Sequence, residues 1–356
     1  MEDSKILTLH IDETEVPAGL DILTRFRSFL DLRVGRNTIF AKVKKNYPQA
    51  KMYYSHSDPK FQEYFLAKNP NLLPYNGEEA SLKIRADQFQ PWDLLQAIPS
   101  SIEEDLLLSK TILKWRVKFK PKQHRFNLVG KDKNLYIHPT AVVYPGVVID
   151  TTSGPVIIDK DVKITSFSFL EGPLYIGSNS SIDSARITGG TIIGKNCRVG
   201  GEIENSILQD YSNKHHEGFL GHSTIGSWVN LGALSTTSDL KNNYGIVPIR
   251  VGKVLYSTGS IKFGSIIGDL SKIGIGVMLN TGATIDVGCS LVDSRISGYV
   301  PPFTWLSPDV RYKKDRFIQD TKKIMARRSV ELDTADEENL SYTYNKLLEL
   351  EGLWVS

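Results

Sequence analysis

An aliphatic residue returns at every sixth position through much of the chain from residue 137 onward, and the longest unbroken run extends from Ile261 to Leu291. A period of six suits neither a lone helix nor a simple alternating strand. It suits a triangular coil with three flat sides, each a short strand of one hexapeptide, whose aliphatic residues point inward and stack into one column. We therefore predict a mainly β protein built around a left-handed parallel β-helix. The predicted anchors of the column are Ile137, Val143, Ile149, Ile158, Ile164, Leu170, Ile176, Ile182, Ile193, Val199, Phe219, Ile225, Leu231, Ile261, Ile267, Ile273, Leu279, Ile285 and Leu291.

Glycine often follows an anchor, as in Ile176-Gly177 and Ile267-Gly268. Glycine, like Asn, Asp and Ser, fits the corners of such a coil because the backbone there can need a positive φ. The register breaks at residues 209–218 and again at about residues 238–259. Insertions in repeat proteins tend to form loops on one face, often the functional face, so these two breaks are the first places to look for a site.

The repeat divides the chain into four predicted parts. Residues 1–112 mix helical and strand patterns and predict a small α+β domain, residues 135–305 form the β-helix, and residues 306–356 predict a helical tail with a capping box at 334–337. Residues 113–134 form a basic linker, in which positions 114–133 hold eight Lys or Arg against one acid, Asp132. These cations suit either a phosphate-binding strip or an edge segment whose lysines discourage pairing with other strands, and we favour the edge segment.

Composition narrows the function classes. A net charge of +3 over 356 residues argues against a dedicated nucleic-acid binder. The two cysteines, Cys197 and Cys289, argue for a reducing compartment and against a disulfide framework or a thiolate zinc site. The first five residues are polar and show no secretory pattern, and no apolar stretch approaches the length of about eighteen residues that a membrane span needs. We expect a cytoplasmic protein without nucleic-acid or membrane partners.

The first break carries the strongest candidate chemistry. Three of the seven histidines lie between His215 and His222. A histidine near a carboxylate can act as a general base near pH 7, and Asn213 and Lys214 can hold an anionic, hydroxylated substrate. Two alternatives remain at this point. In the first, His216 and His222, which are six residues apart, stack on successive strands and bind a metal, although we predict no metal site. In the second, the segment is a polar surface loop without chemistry.

The second break, at residues 235–244, is rich in hydrogen-bonding side chains and is a candidate substrate wall beside the histidines. Motifs for other chemistries do not occur. The sequence contains no Walker loop, no Rossmann glycine fingerprint after a strand, no Gly-x-Ser-x-Gly and no His-Glu-x-x-His.

Several segments together resemble a known family. They are CRVGGEIENS at 197–206, YSNKHHEGFLG at 211–221, WVNLGA at 228–233, DLKNNY at 239–244, VPPFTW at 300–305, MARR at 325–328 and PWDLL at 91–95. They resemble the GlmU-like sugar nucleotidyltransferase family, relatives of the bifunctional N-acetylglucosamine-1-phosphate uridyltransferase/glucosamine-1-phosphate acetyltransferase. The resemblance covers roughly residues 90–330.

The resemblance implies roles for individual residues. His216 falls where the family has its catalytic histidine, and Asn230 where it has a substrate-binding asparagine. Asn243 and Tyr244 resemble a pair near the sugar phosphate. The family implies acetyl-CoA as co-substrate, with Gly232 and Ala233 holding it against the backbone and Gly274 and Gly276 as further candidates. It also implies a homotrimer with each site built between neighbouring subunits.

This chain departs from the family pattern in two respects. Glu202 and Glu204 occupy the coil in which the family has a phosphate-binding lysine, so Arg186, Arg198 or Lys214 must supply that charge. The N-terminal residues are too few for a complete nucleotide-binding domain and lack its Gly-rich basic loop, so we expect the uridyltransferase half to be degenerate or reduced to a scaffold.

We therefore expect an acyl-CoA-dependent N-acyltransferase acting on an amino-sugar phosphate such as glucosamine 1-phosphate, in nucleotide-sugar or cell-envelope precursor synthesis. One alternative is a sugar-1-phosphate nucleotidyltransferase of the UDP-N-acetylglucosamine diphosphorylase type, which would require magnesium. The other is a non-catalytic scaffold that binds a sugar nucleotide.

Overall fold

The computed structural model describes residues 7–352, so the polar first residues considered above lie outside it. Its largest part is a prism of stacked coils with three sides, here called side A, side B and side C. On each side the strand of one coil pairs in parallel with the strand of the next, as Ile192 does with Ile207 on side A. The predicted left-handed parallel β-helix is confirmed.

The strands of the prism form three stacks. Side A comprises Leu135–Ile137, Val156–Ile158, Leu174–Ile176, Thr191–Ile193, Ile207–Leu208, Thr224–Ile225, Ile266–Ile267, Thr284–Ile285 and Tyr299–Val300. Side B comprises Val142–Val143, Lys163–Ile164, Asn213–Lys214, Asn230–Leu231, Lys272–Ile273, Ser290–Leu291 and Thr304–Arg311. Side C comprises Asn127–Val129, Val148–Asp150, Phe169–Glu171, Phe219–Gly221, Thr236–Thr237, Met278–Leu279 and Arg295–Ile296. Two longer strands, Ser181–Thr188 and Arg198–Glu204, turn a corner and belong to both side B and side C.

The inner column follows the predicted six-residue period. In one coil, Ile267, Ile273 and Leu279 project inward from sides A, B and C in turn, and all three are buried. Removing such a side chain from water contributes about 1.5–3 kcal/mol. The repetition of this burial in every coil supplies most of the driving force for the prism.

Two predicted anchors are wrong. Phe219 lies on the outer face of side C, and Leu220 fills the column instead, where it pairs with the buried Ile203. A shift of one residue in a strand moves a side chain to the opposite face. Ile261 is 53% exposed and follows an inserted hairpin, so it lies outside the column.

The corners are turned by residues with positive φ. Some are glycine or asparagine, as predicted, but Tyr211 (φ 67°), Trp228 (φ 61°) and Leu234 (φ 62°) also take this conformation. Gly232, which follows an anchor, does not. A Cβ added at Gly232 would lie 2.7 Å from the carbonyl carbon of Gly274, so this glycine is needed for the close approach of two coils.

The N-terminal part mixes helices and strands, as predicted, but all its strand pairs are parallel, so it is an α/β layer rather than the expected α+β domain. Its sheet is parallel, in the order β3-β2-β1-β4, with β1 Thr8–Glu13, β2 Lys51–His56, β3 Leu72–Pro74 and β4 Leu82–Arg85. Its helices are α1 Ala18–Thr24, α2 Ile39–Asn46, α3 Pro59–Lys68, α4 Pro91–Gln96, α5 Ile98–Leu107 and α6 Lys110–Leu113, and short 3₁₀ turns occur at Phe29–Asp31, Ala86–Gln88 and Asp132–Asn134.

This layer covers the outer face of side A. Tyr136, Tyr175 and Ile207 point outward from side A and join Leu20 and Ile98 in one buried apolar cluster. Side A is therefore buried on both faces, and the surfaces left for ligands are sides B and C and the corner between them.

A ladder of ion pairs fastens the segment after α1 to the corner between sides A and B. Its pairs are Arg25–Asp286, Arg27–Asp269, Arg33–Asp210 and Arg36–Asp159, and each aspartate comes from a different coil. The guanidinium groups of Arg25, Arg27 and Arg33 are largely buried, so these contacts exclude water and hold the segment in one register along the prism.

The tail forms two helices, α7 Lys314–Ala326 and α8 Thr334–Leu350, which pack on the last coils through Phe303, Phe317 and Tyr344. The predicted capping box is displaced by one residue. Asp333, rather than Thr334, is the N-cap of α8, and its carboxylate accepts a hydrogen bond from the Asp336 N–H at 2.9 Å.

The basic segment runs along the edge of the first coil. The Val117 N–H donates to the Leu135 carbonyl at 2.9 Å, and the Ile137 N–H donates to the Trp115 carbonyl at 2.9 Å. This pairing favours the edge-segment interpretation over a phosphate-binding strip. The first strand of side C, Asn127–Val129, falls inside the range predicted as linker, and the domain limits themselves remain a prediction.

The two breaks in the register differ in kind. Residues 209–218 are not an inserted loop, because they contain the side B strand Asn213–Lys214, which continues the stack. The second break is a true insertion that carries an antiparallel hairpin, Pro248–Val251 with Val254–Ser257. The hairpin packs back toward side A, where Ile249 is fully buried. None of the helices within residues 7–352 is long and apolar enough to cross a membrane.

Truncation of an inner side chain should unfold the prism far more readily than truncation of an outer one. Ile193 is fully buried, and Ile193→Ala should lower the free energy of unfolding by about 2–5 kcal/mol because it leaves a cavity. Val254 on the inserted hairpin is 52% exposed, and Val254→Ala should change it by no more than about 0.5 kcal/mol. Urea unfolding of the two variants measures the difference, and equal losses would contradict the inner column.

Candidate active site

The two adjacent histidines lie at the corner between sides B and C. The chain leaves side B after Lys214 and reaches side C at Phe219. The turn is tight, since Gly218 has φ 127° and a Cβ there would lie 2.1 Å from the Ser235 carbonyl oxygen. The Leu234 N–H donates to the Glu217 carbonyl at 2.9 Å and ties this corner to the next one. The backbone that carries the imidazoles is therefore firmly held.

One of the imidazoles is held by a carboxylate from a distant part of the chain. His215 Nε2 lies 2.9 Å from Asp183 Oδ2, and both side chains are about one-third exposed. Gly200 stands between them in the stack and has no side chain to block the reach of the ring. The sequence analysis missed Asp183, because it lies 32 residues upstream of His215 and only the pairing of the coils brings the two together.

The second imidazole is exposed. Within residues 7–352 the His216 ring makes no hydrogen bond, and its centroid lies 4.9 Å from that of His215. The corner thus presents one ring that is fixed by a carboxylate and one that is free to accept a proton from a ligand. This pair of rings is an acid–base constellation at the corner between sides B and C.

Lys214 is not placed to bind substrate. Its side chain points into the column, where neighbouring coils have Val199 and Leu231, and its ammonium group donates to the carbonyl oxygens of Gly200 and His216. Burial lowers the pKa of Lys214 to about 8. The first break in the six-residue register is therefore a lysine in an anchor position, and its charge braces the corner from inside.

The four predicted cofactor residues share the corner with the histidines. Gly232 and Ala233 occupy it in the next coil, and Gly274 and Gly276 in the coil after that. The Gly232 N–H donates to the Ile273 carbonyl and the Gly276 N–H to the Ala233 carbonyl, both at 2.8 Å. Those two N–H groups are used in pairing the coils, whereas within the described residues the Ala233 and Ile275 N–H groups donate to no protein acceptor.

Exposed apolar side chains line the same corner. Leu234, Ile275 and Val292 lie in three consecutive coils and each is more than half exposed, and the exposed Phe167 lies at the same corner four coils before Leu234. A row of large apolar side chains in water is unfavourable for an isolated chain and marks a surface that contacts a ligand or another protein.

The predicted substrate residues separate into groups. Arg198, Asn213 and Asn230 lie together on side B and line a pocket of about 310 Å³ under α7. Arg186 lies on side C, where it pairs with Glu202 at 3.2 Å. The sequence did not single out the other polar groups of the side B pocket, which are Tyr211, Trp228, Lys272, Arg327 and Arg328.

Asn243 and Tyr244 lie in the second break, away from the imidazoles. Tyr244 is exposed, and the Asn243 side chain accepts a hydrogen bond from the Gly245 N–H at 3.1 Å. Nearby, His222 Nδ1 lies 2.7 Å from Asp239 Oδ2 at the corner between sides C and A. His216 and His222 stand at opposite ends of a side C strand, so they do not stack on successive strands as the metal alternative required.

The chain is similar to acetyltransferases. It is 29% identical over 167 residues to the uncharacterized acetyltransferase YaiX of Escherichia coli O6:K15:H31, a match that covers 46% of this chain and 70% of that protein. It is 28% identical over 198 residues to the bifunctional protein GlmU of Pseudoalteromonas atlantica, covering 50% of this chain and 43% of that protein. No family model matches the chain.

Among solved structures, a mutant of perosamine N-acetyltransferase from Caulobacter crescentus in complex with CoA and GDP-perosamine shares 15% identity with the chain. The alignment covers 85% of this chain and 94% of that one, with a TM-score of 0.16. The sequence relatives confirm the predicted resemblance to the GlmU-like family. The enzyme class that this resemblance implies, an acyltransferase, agrees with the names of those relatives.

The buried Lys214 should make stability depend on alkaline pH. Because its folded-state pKa of about 8 lies below the ordinary value of 10.5, the unfolded chain binds more protons between these values. The cost of burying the lysine is fully present at pH 7 and falls as the pH rises. Between pH 7 and pH 10 the unfolding free energy of the wild type should therefore gain about 2–3 kcal/mol on that of Lys214→Met.

Urea unfolding at a series of pH values measures this gain. Lys163→Met is the matched control, since Lys163 is exposed on the same side of the prism and should show no such dependence. Parallel pH profiles for the wild type and Lys214→Met would mean that the lysine is not desolvated.

Proposed function

We propose that the protein is an acyl-CoA-dependent N-acyltransferase that transfers an acetyl group from acetyl-CoA to the amine of an amino-sugar phosphate, such as glucosamine 1-phosphate. One observation carries the proposal. The corner between sides B and C combines a carboxylate-held imidazole, an exposed imidazole 4.9 Å away and unpaired backbone N–H groups in the coils below.

His216 is the proposed general base. As the neutral amine attacks the thioester carbonyl, its N–H proton passes to the exposed imidazole, the C–N bond forms, and the C–S bond breaks to release the CoA thiolate, which takes up a proton. General-base assistance of this kind contributes about 10²–10⁴-fold to the rate. Asp183 holds the His215 ring in place, and this fixed ring restricts the orientations of the neighbouring His216 ring.

The next two corners are the proposed acyl-CoA track. The outward N–H groups of Ala233 and Ile275 can donate to the amide carbonyls of the acyl-CoA arm or to the oxyanion that develops on the thioester. Gly232, Gly274 and Gly276 have no side chains, so the acyl-CoA arm can approach the backbone closely at this part of the corner. Leu234 and Ile275 provide apolar contact for the arm.

A homotrimer is part of the proposal. The candidate substrate groups of one chain lie on two different sides, with Asn230 on side B and Arg186 on side C, and the exposed apolar row runs between those sides. If the apolar row packs against a second copy, side B of one subunit can face side C of the next, so that both groups border one cleft. Sedimentation of the intact protein tests the trimer directly.

Replacement of His216 should remove most of the activity without unfolding the protein. His216→Ala should lower kcat for acetyl transfer by about 10²–10⁴-fold, since the base is lost. Asp183→Asn and His215→Ala should lower it less, because they act through the neighbouring ring. Thiol release from acetyl-CoA in the presence of glucosamine 1-phosphate provides the assay, and thermal unfolding checks the fold.

His124→Ala is the control, since that ring lies in the basic segment and should leave kcat unchanged. Undiminished transfer by His216→Ala would reject the base, and a larger loss in His215→Ala would move that role to His215. Formation of a nucleotide sugar from a nucleoside triphosphate with magnesium, without acetyl transfer, would favour the nucleotidyltransferase alternative.

A further inference from the structure

The pocket on side B is a separate feature from the histidine corner. It lies between the outer face of side B and the end of α7, with a volume of about 310 Å³. Its polar walls hold the cations Arg198, Lys272, Arg327 and Arg328. The acyl-transfer chemistry proposed above does not use these four cations.

The three arginine charges in this pocket are not neutralised by a salt bridge within the described residues, and Asp320 attracts the Lys272 ammonium only at longer range. Within residues 7–352 no carboxylate forms an ion pair with Arg198, Arg327 or Arg328, and the Lys272 ammonium lies over the Tyr312 ring at 5.6 Å from its centroid. The four arginines of the ladder on the adjacent corner contrast with this, because each has its own aspartate. Cations gathered without counter-charges repel one another, and an anionic ligand relieves that repulsion.

Local electrostatics agree with this description. Burial, followed by the neighbouring Arg198 and Arg327 guanidinium groups, lowers the pKa of Arg328. Arginine binds phosphate oxygens through paired N–H donors, and three arginines with one lysine can contact the oxygens of two linked phosphates at once.

The remaining walls suit a nucleoside. Tyr211 and Trp228 stack on each other with ring centroids 4.1 Å apart and planes 5° apart, and both are fixed by left-handed backbone at the corner between sides A and B. They form a flat aromatic wall on which a base can stack. The Asn213 side chain donates to Asn230 Oδ1 at 3.0 Å, and its own buried Oδ1 has no partner, so it is an acceptor for a ligand hydroxyl.

We propose that the side B pocket binds a nucleoside diphosphate, with the phosphates among Arg198, Lys272, Arg327 and Arg328 and the base beside Tyr211 and Trp228. The group can belong to the nucleotide end of acyl-CoA or to a nucleotide-linked amino sugar. Asn213 and His216 are three residues apart, so the Cα atoms of the pocket residue and of the proposed base are at most about 11 Å apart. This inference deepens the proposed function and depends on it only for the group that reaches His216.

Nucleotide binding to the full-length protein tests the pocket without any need for turnover. Calorimetry with UDP, ADP, coenzyme A and inorganic phosphate should show that at least one nucleotide binds more tightly than phosphate and that its affinity falls as salt increases. Arg198→Gln and Arg328→Ala should each weaken that binding by about tenfold or more, the loss expected for one hydrogen-bonded charge. Both side chains are at least partly exposed, so both variants should fold.

Arg250→Ala is the matched control, because Arg250 is an exposed arginine on the inserted hairpin and should leave nucleotide affinity unchanged. Equal affinity for UDP, ADP and coenzyme A in the wild type, Arg198→Gln and Arg328→Ala would overturn the pocket assignment. So would the absence of binding by all three nucleotides.

The source of the nucleotide is read from steady-state kinetics. If Arg328→Ala raises KM for acetyl-CoA and not for the amino sugar, the pocket holds the nucleotide end of the donor. If it raises KM only for a nucleotide-linked amino sugar, the pocket holds the acceptor. If the wild type binds nucleotide but shows no acetyl transfer, the proposed function is rejected and the assignment of the pocket as a nucleotide site is retained.

Discussion

The stacked aliphatic column inside the prism is the constraint on which the rest of the structure depends. Each coil buries its inner residues only when a coil above and a coil below are present, as Ile193 does between Ile176 and Leu208. That mutual burial fixes the register of every strand and therefore the position of every corner. The histidine corner, the side B pocket and the arginine ladder all take their geometry from it, because they lie on the outside of strands that are held from within.

The parts of the fold that could be predicted from the sequence are those in which buried aliphatic residues repeat at a constant spacing. Ile267, Ile273 and Leu279 follow the six-residue spacing and lie where it requires. Phe219 and Ile261 show the limit, since a local shift and an insertion each change which residue points inward without changing the apparent pattern. Lys214 shows a second limit, because a charged residue in the column looks in the sequence like a surface loop.

The candidate site was harder to predict from the sequence than the fold. Its residues come together through the stacking of coils and are not close in the chain. The corner residues Gly232, Ala233, Gly274 and Gly276 were found through resemblance, and the structure puts them at the same corner as His216, in the next two coils. Asp183 could not be found in this way, because coils of unequal length bring it to His215. Arg327 and Arg328, which follow α7, reach side B only through the packing of the tail, which no local pattern specifies.

The arginine ladder also limits how this protein can change in evolution. From Asp159 to Asp286 the prism advances by six strand-to-strand steps, or about 29 Å at the usual strand spacing. The eleven residue-to-residue steps from Arg25 to Arg36 can extend over at most about 40 Å. Repeat proteins commonly gain or lose whole repeats, but a duplicated or deleted coil inside this interval would leave guanidinium groups opposite the wrong coils. The spacing of the arginines in the N-terminal segment thus fixes the number of coils between Asp159 and Asp286.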